Sequence, residues 1–359
     1  MKAQEESMAN LSRIVREFVE IEGACTAGIV TTETLAGGPP STDLSYVLAG
    51  ARSAVVFAVP MDPSPIEPYL RKEDRLCLEQ AYVRANTLAS GISLHLANYL
   101  TQKGYPSVPV ASNNVFRPVP SEKEETCLAD TYYPDIAHRY LAVRSGVGHM
   151  GFSGNVITRD WGASVILAAT VTTAELEPTP PLAPEENYCD HCGLCLAACA
   201  SGFMDFQRTT TVVLGGVEVS YSQRRHYGRC DLVCSGYTGL HPSGRWSTWS
   251  PGRFPVPDRD EDLPAAYDRM QKAHGKWPPS EGGRYFFFMD EKLRFSCAHC
   301  MLVCAPTKEE RKRRYQLLRD SGVVVQSADG SRKAVSPQEA RTILDALPPE
   351  RRALYEDAL

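Results

Sequence analysis

The sequence predicts an α+β protein: an α/β N-terminal lobe over residues 1–178, a cysteine-rich domain over 179–310 and a helical C-terminal tail over 311–359. Three observations carry this expectation. Helical and strand periodicities alternate through the first half of the chain; nine of the twelve cysteines crowd between Cys189 and Cys304; and a capping motif opens a helix near the C-terminus.

The first element is a helix, because Met8, Leu11, Val15 and Phe18 recur at helical spacing and Gly23 closes the segment. ARSAVVFAVP (Ala51 to Pro60) is a continuous apolar run with adjacent valines, the pattern of a buried strand. From Leu78 through Ala85, Leu88, Ile92, Leu96 and Tyr99 the apolar stripe returns at three- and four-residue steps and stops at Gly104, so a long helix follows. VPVAS (Val108 to Ser112) reads as the next strand, and strand, helix and strand in that order give the α/β lobe. NVIT (Asn155 to Thr158) and ASVILAATVTT (Ala163 to Thr173) flank RDWG, which reads as a hairpin turn between them. EPTPPLAPEEN (Glu177 to Asn187) is proline-rich and acidic, as in a linker running over the surface. Ser336, Pro337 and Glu339 take the N-cap, N1 and N3 places of a capping box, and Pro348 with Pro349 breaks or restarts that helix.

A chain of 359 residues that is 43% hydrophobic and 23% charged can bury a sizeable core. The N-terminus has no basic stretch followed by an apolar one and no twin arginine, and no later run is long enough for a bilayer, so a cytoplasmic protein without membrane contact is expected. A net charge of -5 argues against a protein that coats nucleic acid. KEERKRRYQLLR (Lys308 to Arg319) is locally basic, but its interleaved glutamates read as a solvated helix face.

Cys189, Cys192, Cys195 and Cys199 have C-x2-C-x2-C-x3-C spacing, the ferredoxin run in which three thiolates wrap one 4Fe-4S cluster and the fourth reaches another. Cys297, Cys300 and Cys304 form a second, shorter run. The same crossing assigns Cys189, Cys192, Cys195 and Cys304 to one cluster. It assigns Cys199, Cys297 and Cys300 to the other, together with Cys230 or Cys234. Arg229 directly before Cys230 inclines the choice to Cys230. Zinc sites use paired knuckles, which an uninterrupted run of four does not resemble. Cys25, Cys77 and Cys127 lie outside the motifs and read as small buried apolar residues. Two clusters form a wire, and the preceding lobe is expected to hold its acceptor.

The 62 residues between Cys234 and Cys297 form an insertion, centred on about 235–290 and rich in Trp, Arg, Pro and Gly. Trp246, Trp249, Arg253, Trp277, Arg284 and Tyr285 supply the mixture that lines small-molecule pockets, and the segment reads either as a lid over a cofactor or as a wrap that shields the clusters.

The segment Pro134 to Pro178, with its glycine turn SGVGHMGFSGN, resembles one shared by epoxyqueuosine reductases and reductive dehalogenases. ARSAVVFAVPMD resembles the early strand of the same family, and the cysteine order of four, one and three also agrees. The resemblance implies a nitroreductase-like N-terminal lobe that binds cobalamin base-off, beside a ferredoxin-like double-cluster domain that reduces the cobalt. It implies cofactor contacts at His138, Gly146, Gly148, His149, Gly151, Phe152 and Ser153. His149 stands at the family's tryptophan position and Phe152 at its lysine position. For the proton donor it offers Asp130, followed by Thr131 as in epoxyqueuosine reductases, or Tyr132 and Tyr133 as in dehalogenases. The leading expectation is a cobalamin-dependent iron-sulfur reductase that removes a heteroatom or oxygen from a small organic substrate, fed by ferredoxin or flavodoxin. Reduction of epoxyqueuosine in tRNA is the second expectation, and a non-catalytic electron-transfer or corrinoid-carrier protein is the third.

Overall fold

A strand that is apolar from Ala54 to Pro60 needs cover on both faces, and Ser53–Pro60 has it. Val55, Phe57 and Val59 face one core and the alternate Ala54, Val56 and Ala58 face another, as period-two side chains must. The computed structural model describes residues 2–112, 116–118, 132–279 and 297–357. Cys127, Asp130, Thr131, Arg284 and Tyr285 lie outside the described residues.

The central sheet runs in the order Thr26–Thr31, Ser53–Pro60, Val165–Thr172 and Ser107–Val110, every pairing antiparallel. The strand–helix–strand unit is therefore present but split. Ser53–Pro60 and Ser107–Val110 run the same way with Val165–Thr172 inserted between them, because one late strand satisfies the backbone of both. The helices Lys2–Ile21 and Leu76–Gln102 cover one face through Val15, Val19, Ile92, Leu96 and Leu100. The short helix His138–Arg144 covers the other through Leu141 and Ala142.

RDWG does turn the chain, but its flanks do not form one hairpin. Val156–Ile157 pairs back with His149–Met150, Val165–Thr172 joins the central sheet, and only the bridge Thr158 to Gly162 links the two sides. The linker is tied down at its start: Glu177 N donates to Ser12 Oγ at 2.7 Å and Thr179 Oγ1 to Ser145 O at 2.6 Å. The first core continues without a break into the cysteine region, through Cys195, Leu196, Leu302 and Leu318. A two-stranded ribbon, Met204–Leu214 with Val217–Arg224, returns from there to the sheet, where Gly215 N donates to Ala36 O. Ser336 caps the helix Pro337–Asp345 by accepting from Glu339 N, and Pro349–Arg352 is a separate turn of helix. Cys25 is exposed and Cys77 half-buried, a correction to their reading as core residues. No helix among the described residues is long and apolar enough to cross a membrane.

Candidate functional site

The first cysteine run is a tight loop entering the short helix Leu194–Ala197. His191 and Gly193 take positive φ, 52° and 72°, and the reversal lets Cys189, Cys192 and Cys195 line a single void. Cys304 completes its wall. The void holds about 330 Å³ of atom-free space counted to its mouth, among Phe152, Ile157, Leu194 and Val303. No three of His, Cys, Asp and Glu among the described residues converge on a point the size of one ion. Burial raises the Cys195 thiol to about 11 and the Cys304 thiol to about 12, and each also feels Cys189 and Cys192. Such thiols stay protonated near neutral pH until a metal displaces the proton.

Two residues that sequence reasoning missed hold this set together. Arg311, 4% exposed, donates from Nε to Ala305 O, from Nη1 to Asp190 Oδ1 and from Nη2 to Tyr188 O, at 2.6 to 2.8 Å. It thereby clamps the loop of Cys189 to the end of the second run. The helix Lys308–Arg319, read as a solvated face, instead turns Arg311 and Arg314 inward, and Arg314 Nη1 donates to Leu302 O. Gly162 is the second: a Cβ there would lie 2.1 Å from Cys304 O, which accepts from Ala163 N.

The second set gathers thiols from three segments. Cys230 and Cys234 sit one turn apart on the helix Tyr227–Cys234 with their Sγ atoms 3.5 Å apart. The Cys300 thiol is pushed up by burial and by Cys297, Cys199 and Cys230; Cys234 is pushed up by its hydrogen bonds with Cys230 and Cys297. Cys297 is pulled down by Cys234 and by nearby His299. Five thiols therefore share one neighbourhood. Asn155 Nδ2 donates to Cys300 Sγ at 3.6 Å.

Trp246 and Trp249 pack on the outer side of this set. Trp246 lies edge-on to His299, whereas Trp249 Nε1 donates to Tyr69 O and its ring lies 6.0 Å from Lys72 Nζ. Lys72 is buried, which lowers it to about 7. Trp277 stacks on Tyr355. All three tryptophans are buried and none lines the first thiol void or the large cavity among the described residues, a placement that favours the wrap over the lid. Arg253 likewise lies off the cavity, its backbone N donating to Tyr355 O.

The large cavity opens elsewhere, between the sheet end at Val165 to Leu167, the helix at His138 to Tyr140, the turn Gly154 to Val156, and the ribbon residues Tyr221 and Arg224. It holds about 1,610 Å³ of atom-free space counted to its open mouth. Asn155 belongs both to its wall and to the second thiol set. His138 lines it with Nε2 buried and unpartnered; burial, with Arg139 beside it, lowers this imidazole to about 4, so it is neutral at pH 7. The hydroxyls of Tyr140 and Tyr221 share a 2.7 Å hydrogen bond at the same wall.

Of the other expected contacts, Phe152 and Ser153 line the first thiol void instead, and Phe152 N donates to Cys189 Sγ at 3.3 Å. His149 lines neither space and lies edge-on to Tyr188. At Gly146, Gly148 and Gly151 the place of a side chain is taken by Pro180 O, Ile157 O and the Ile157 side chain, so the close approach there is of chain to chain. Tyr132 and Tyr133 lie on a strand, Tyr132–Pro134, paired with Phe116–Pro118, and Pro134 reaches the cavity wall.

No family model matches the chain. Two curated epoxyqueuosine reductases are similar to part of it. That of Atelocyanobacterium thalassa is 39% identical over 74 residues, 21% of this chain and 23% of the relative; that of Synechocystis sp. is 35% identical over 81 residues, 22% and 27%. The match spans about a quarter of the length of each relative. Among solved structures, the catabolic reductive dehalogenase NpRdhA is similar with a TM-score of 0.50 at 12% identity, covering 97% of this chain and 38% of that one. An epoxyqueuosine reductase with a tRNA-Tyr stem loop gives 0.40 at 17% identity, covering 65% and 59%. The chain is thus similar to epoxyqueuosine reductases in sequence and to a reductive dehalogenase in fold.

Proposed function

We propose that this chain is an oxidoreductase with two 4Fe-4S clusters and cobalamin in the large cavity, acting on an organic substrate. Cys189, Cys192, Cys195 and Cys304 would hold the first cluster; Cys199, Cys230, Cys297 and Cys300 the second. Cys230 is preferred to Cys234 because it acts on Cys300 and on Cys199, whereas Cys234 acts on Cys230 and Cys297. Clusters and cobalamin, when bound, supply low-potential electrons and a strongly reducing metal centre. The chain's own part is to exclude water with apolar walls, to place hydroxyl and guanidinium donors at the cavity and to hold His138 neutral beside it. The observation that carries the reading is Asn155, which joins the cavity wall to the second thiol set.

Anaerobically purified protein should contain about eight iron and eight sulfide per chain, and added cobalamin should co-elute with it in gel filtration. Zinc in place of iron would end the cluster assignment, and a cobalamin that passes through unbound would end the cavity assignment.

The names of the curated relatives favour epoxyqueuosine in tRNA as the substrate. The basic helix gives that reading little support, because Arg311 and Arg314 point inward, while Lys308 pairs with Asp190 and Arg313 with Glu67. Incubating the reduced protein with tRNA that carries epoxyqueuosine, and digesting it for nucleoside analysis, separates the two: appearance of queuosine selects tRNA, and its absence with intact clusters selects a small substrate.

A further inference from the structure

The described wall of the large cavity carries two guanidiniums, Arg139 and Arg224, and no aspartate or glutamate. Arg139 Nη1 donates to Gly154 O at 3.0 Å, and Arg224 Nη2 donates to Ser153 O and Gly154 O at 3.2 and 3.1 Å. Arg224 also lies 5.5 Å from the centre of the Tyr221 ring and 5.6 Å from that of Phe203. Carbonyls and ring faces solvate a cation but do not neutralise it, and both guanidiniums are half-buried at the open cavity, where an anion that displaces water gains charge-assisted bonds from them. Neither arginine has a carboxylate partner among the described residues, although most arginines elsewhere in the molecule do. Cys300 acts on Arg224, and a cluster held by Cys300 would offset part of that charge, while Arg139 has no carboxylate partner among the described residues. The polar atoms that remain uncommitted at this wall are largely donors: Arg224 Nε is buried without a partner, and the Tyr140 and Tyr221 pair uses one of its two protons internally. His138, 7% exposed, lines the same space, and its Nε2 is buried and unpartnered.

We infer that the cavity takes an organic anion, a carboxylate or phosphate ester, whose charge is received by Arg139 and Arg224. The inference deepens the reductase reading and rests on it for the ligand's being a substrate or cofactor. The anionic group has two possible sources, the substrate and the phosphate of the cobalamin tail. A planar anion accepts from a guanidinium fork through two oxygens, which also orients it toward the Asn155 side of the cavity.

Calorimetry on the anaerobic protein with its clusters tests this, with benzoate and the neutral benzamide as probes. Benzoate is expected to bind at least about tenfold more tightly, the range of one or two charge-assisted bonds. The preference should vanish in the Arg139→Gln/Arg224→Gln double variant. Arg224→Lys, which keeps the charge, guards against a folding defect and should retain most of the preference. Cobalamin and cobinamide, which lacks the phosphate, form the second arm. If Arg224→Gln weakens cobalamin and leaves cobinamide unchanged, the cofactor's phosphate is the anion and the inference stands from that source. Equal binding of benzoate and benzamide, with cobalamin and cobinamide alike unaffected by Arg224→Gln, overturns it. A benzoate preference in a protein that binds no cobalamin would remove the reductase reading and leave the anion site.

Discussion

The two thiol sets are built on different principles. Three members of the first come from seven consecutive residues, Cys189 to Cys195, and the fourth, Cys304, is fastened to them by one arginine and one glycine. The second set is assembled from segments far apart in sequence, holds five thiols, and is kept in place by distributed packing of Tyr69, Trp246, Trp249 and His299. A site with one clamp should fail as a unit when the clamp goes. A distributed site should change its properties while surviving. The second set also adjoins the cavity, so such changes would be felt there.

Arg311→Leu gives the largest expected effect. It removes the bonds to Tyr188 O, Ala305 O and Asp190 at once and leaves the buried carbonyl of Ala305 unpaired, a penalty of about 1–3 kcal/mol for that group, while the exposed Asp190 keeps Lys308. The first cluster should be lost and iron should fall from about eight to about four per chain, with the electron paramagnetic resonance signal of the second cluster unchanged. Cys304→Ala and Cys189→Ala should abolish the same signal as each other. An Arg311→Leu protein with full iron would show that the first set does not depend on its clamp.

The next effect separates Cys230 from Cys234. Cys230→Ala should cost the second cluster, about half of the iron, whereas Cys234→Ala should keep the iron and alter only that cluster's resonance signal, because it removes a neighbour of Cys230 and Cys297 and no ligand. The opposite pattern would exchange their roles, and loss of the cluster in neither variant would mean that the two thiols substitute for one another.

How much of this was legible in the sequence follows the same division. Spacing alone carries the first run, because two-residue gaps fix a loop whatever surrounds it. The apolar periodicities carried Lys2–Ile21, Ser53–Pro60 and Leu76–Gln102, and the capping residues carried Pro337–Asp345. Contacts between distant segments were not legible. Nothing local marks Arg311 as a clamp, since an arginine among lysines and glutamates has the pattern of a surface helix. Gly162 was visible only as a turn residue, although its φ of 57° and the nearness of Cys304 O make it a joint between two regions. The tryptophans of the insertion looked like pocket residues because an apolar aromatic serves a core and a pocket equally, and only the partner decides. The cavity itself draws on eight separated stretches of the described residues, which no motif spans.

A pH titration sharpens the contrast at the cavity end. His138 has a folded value of about 4 against an ordinary 6.5, lowered by burial and then by Arg139. The unfolded chain therefore binds the extra proton between these values, and stability should fall as pH drops from about 6.5 toward 4, by at most about 1.4 kcal/mol per unit from this group. His138→Gln should flatten that part of the slope when the two proteins are unfolded in denaturant across the window. Parallel slopes would mean that the imidazole reaches solvent.

The smallest effect concerns Asn155, where the second set meets the cavity. Its Nδ2 donates to Cys300 Sγ, and a hydrogen bond to a ligand sulfur stabilises the added negative charge of a reduced cluster more than it stabilises the oxidised one. Asn155→Leu keeps the branched shape and removes the donor. The second cluster should then become harder to reduce, with a midpoint lowered by on the order of 40 mV if the bond is worth about 1 kcal/mol in a one-electron couple. The first cluster should not move, because Asn155 has no contact with its thiols. Redox titration followed by electron paramagnetic resonance reads both in one sample. A shift shared equally by both clusters would point to a general change in burial, and no shift at all would mean that the 3.6 Å contact carries no charge and that the cavity is coupled to the second set through packing alone.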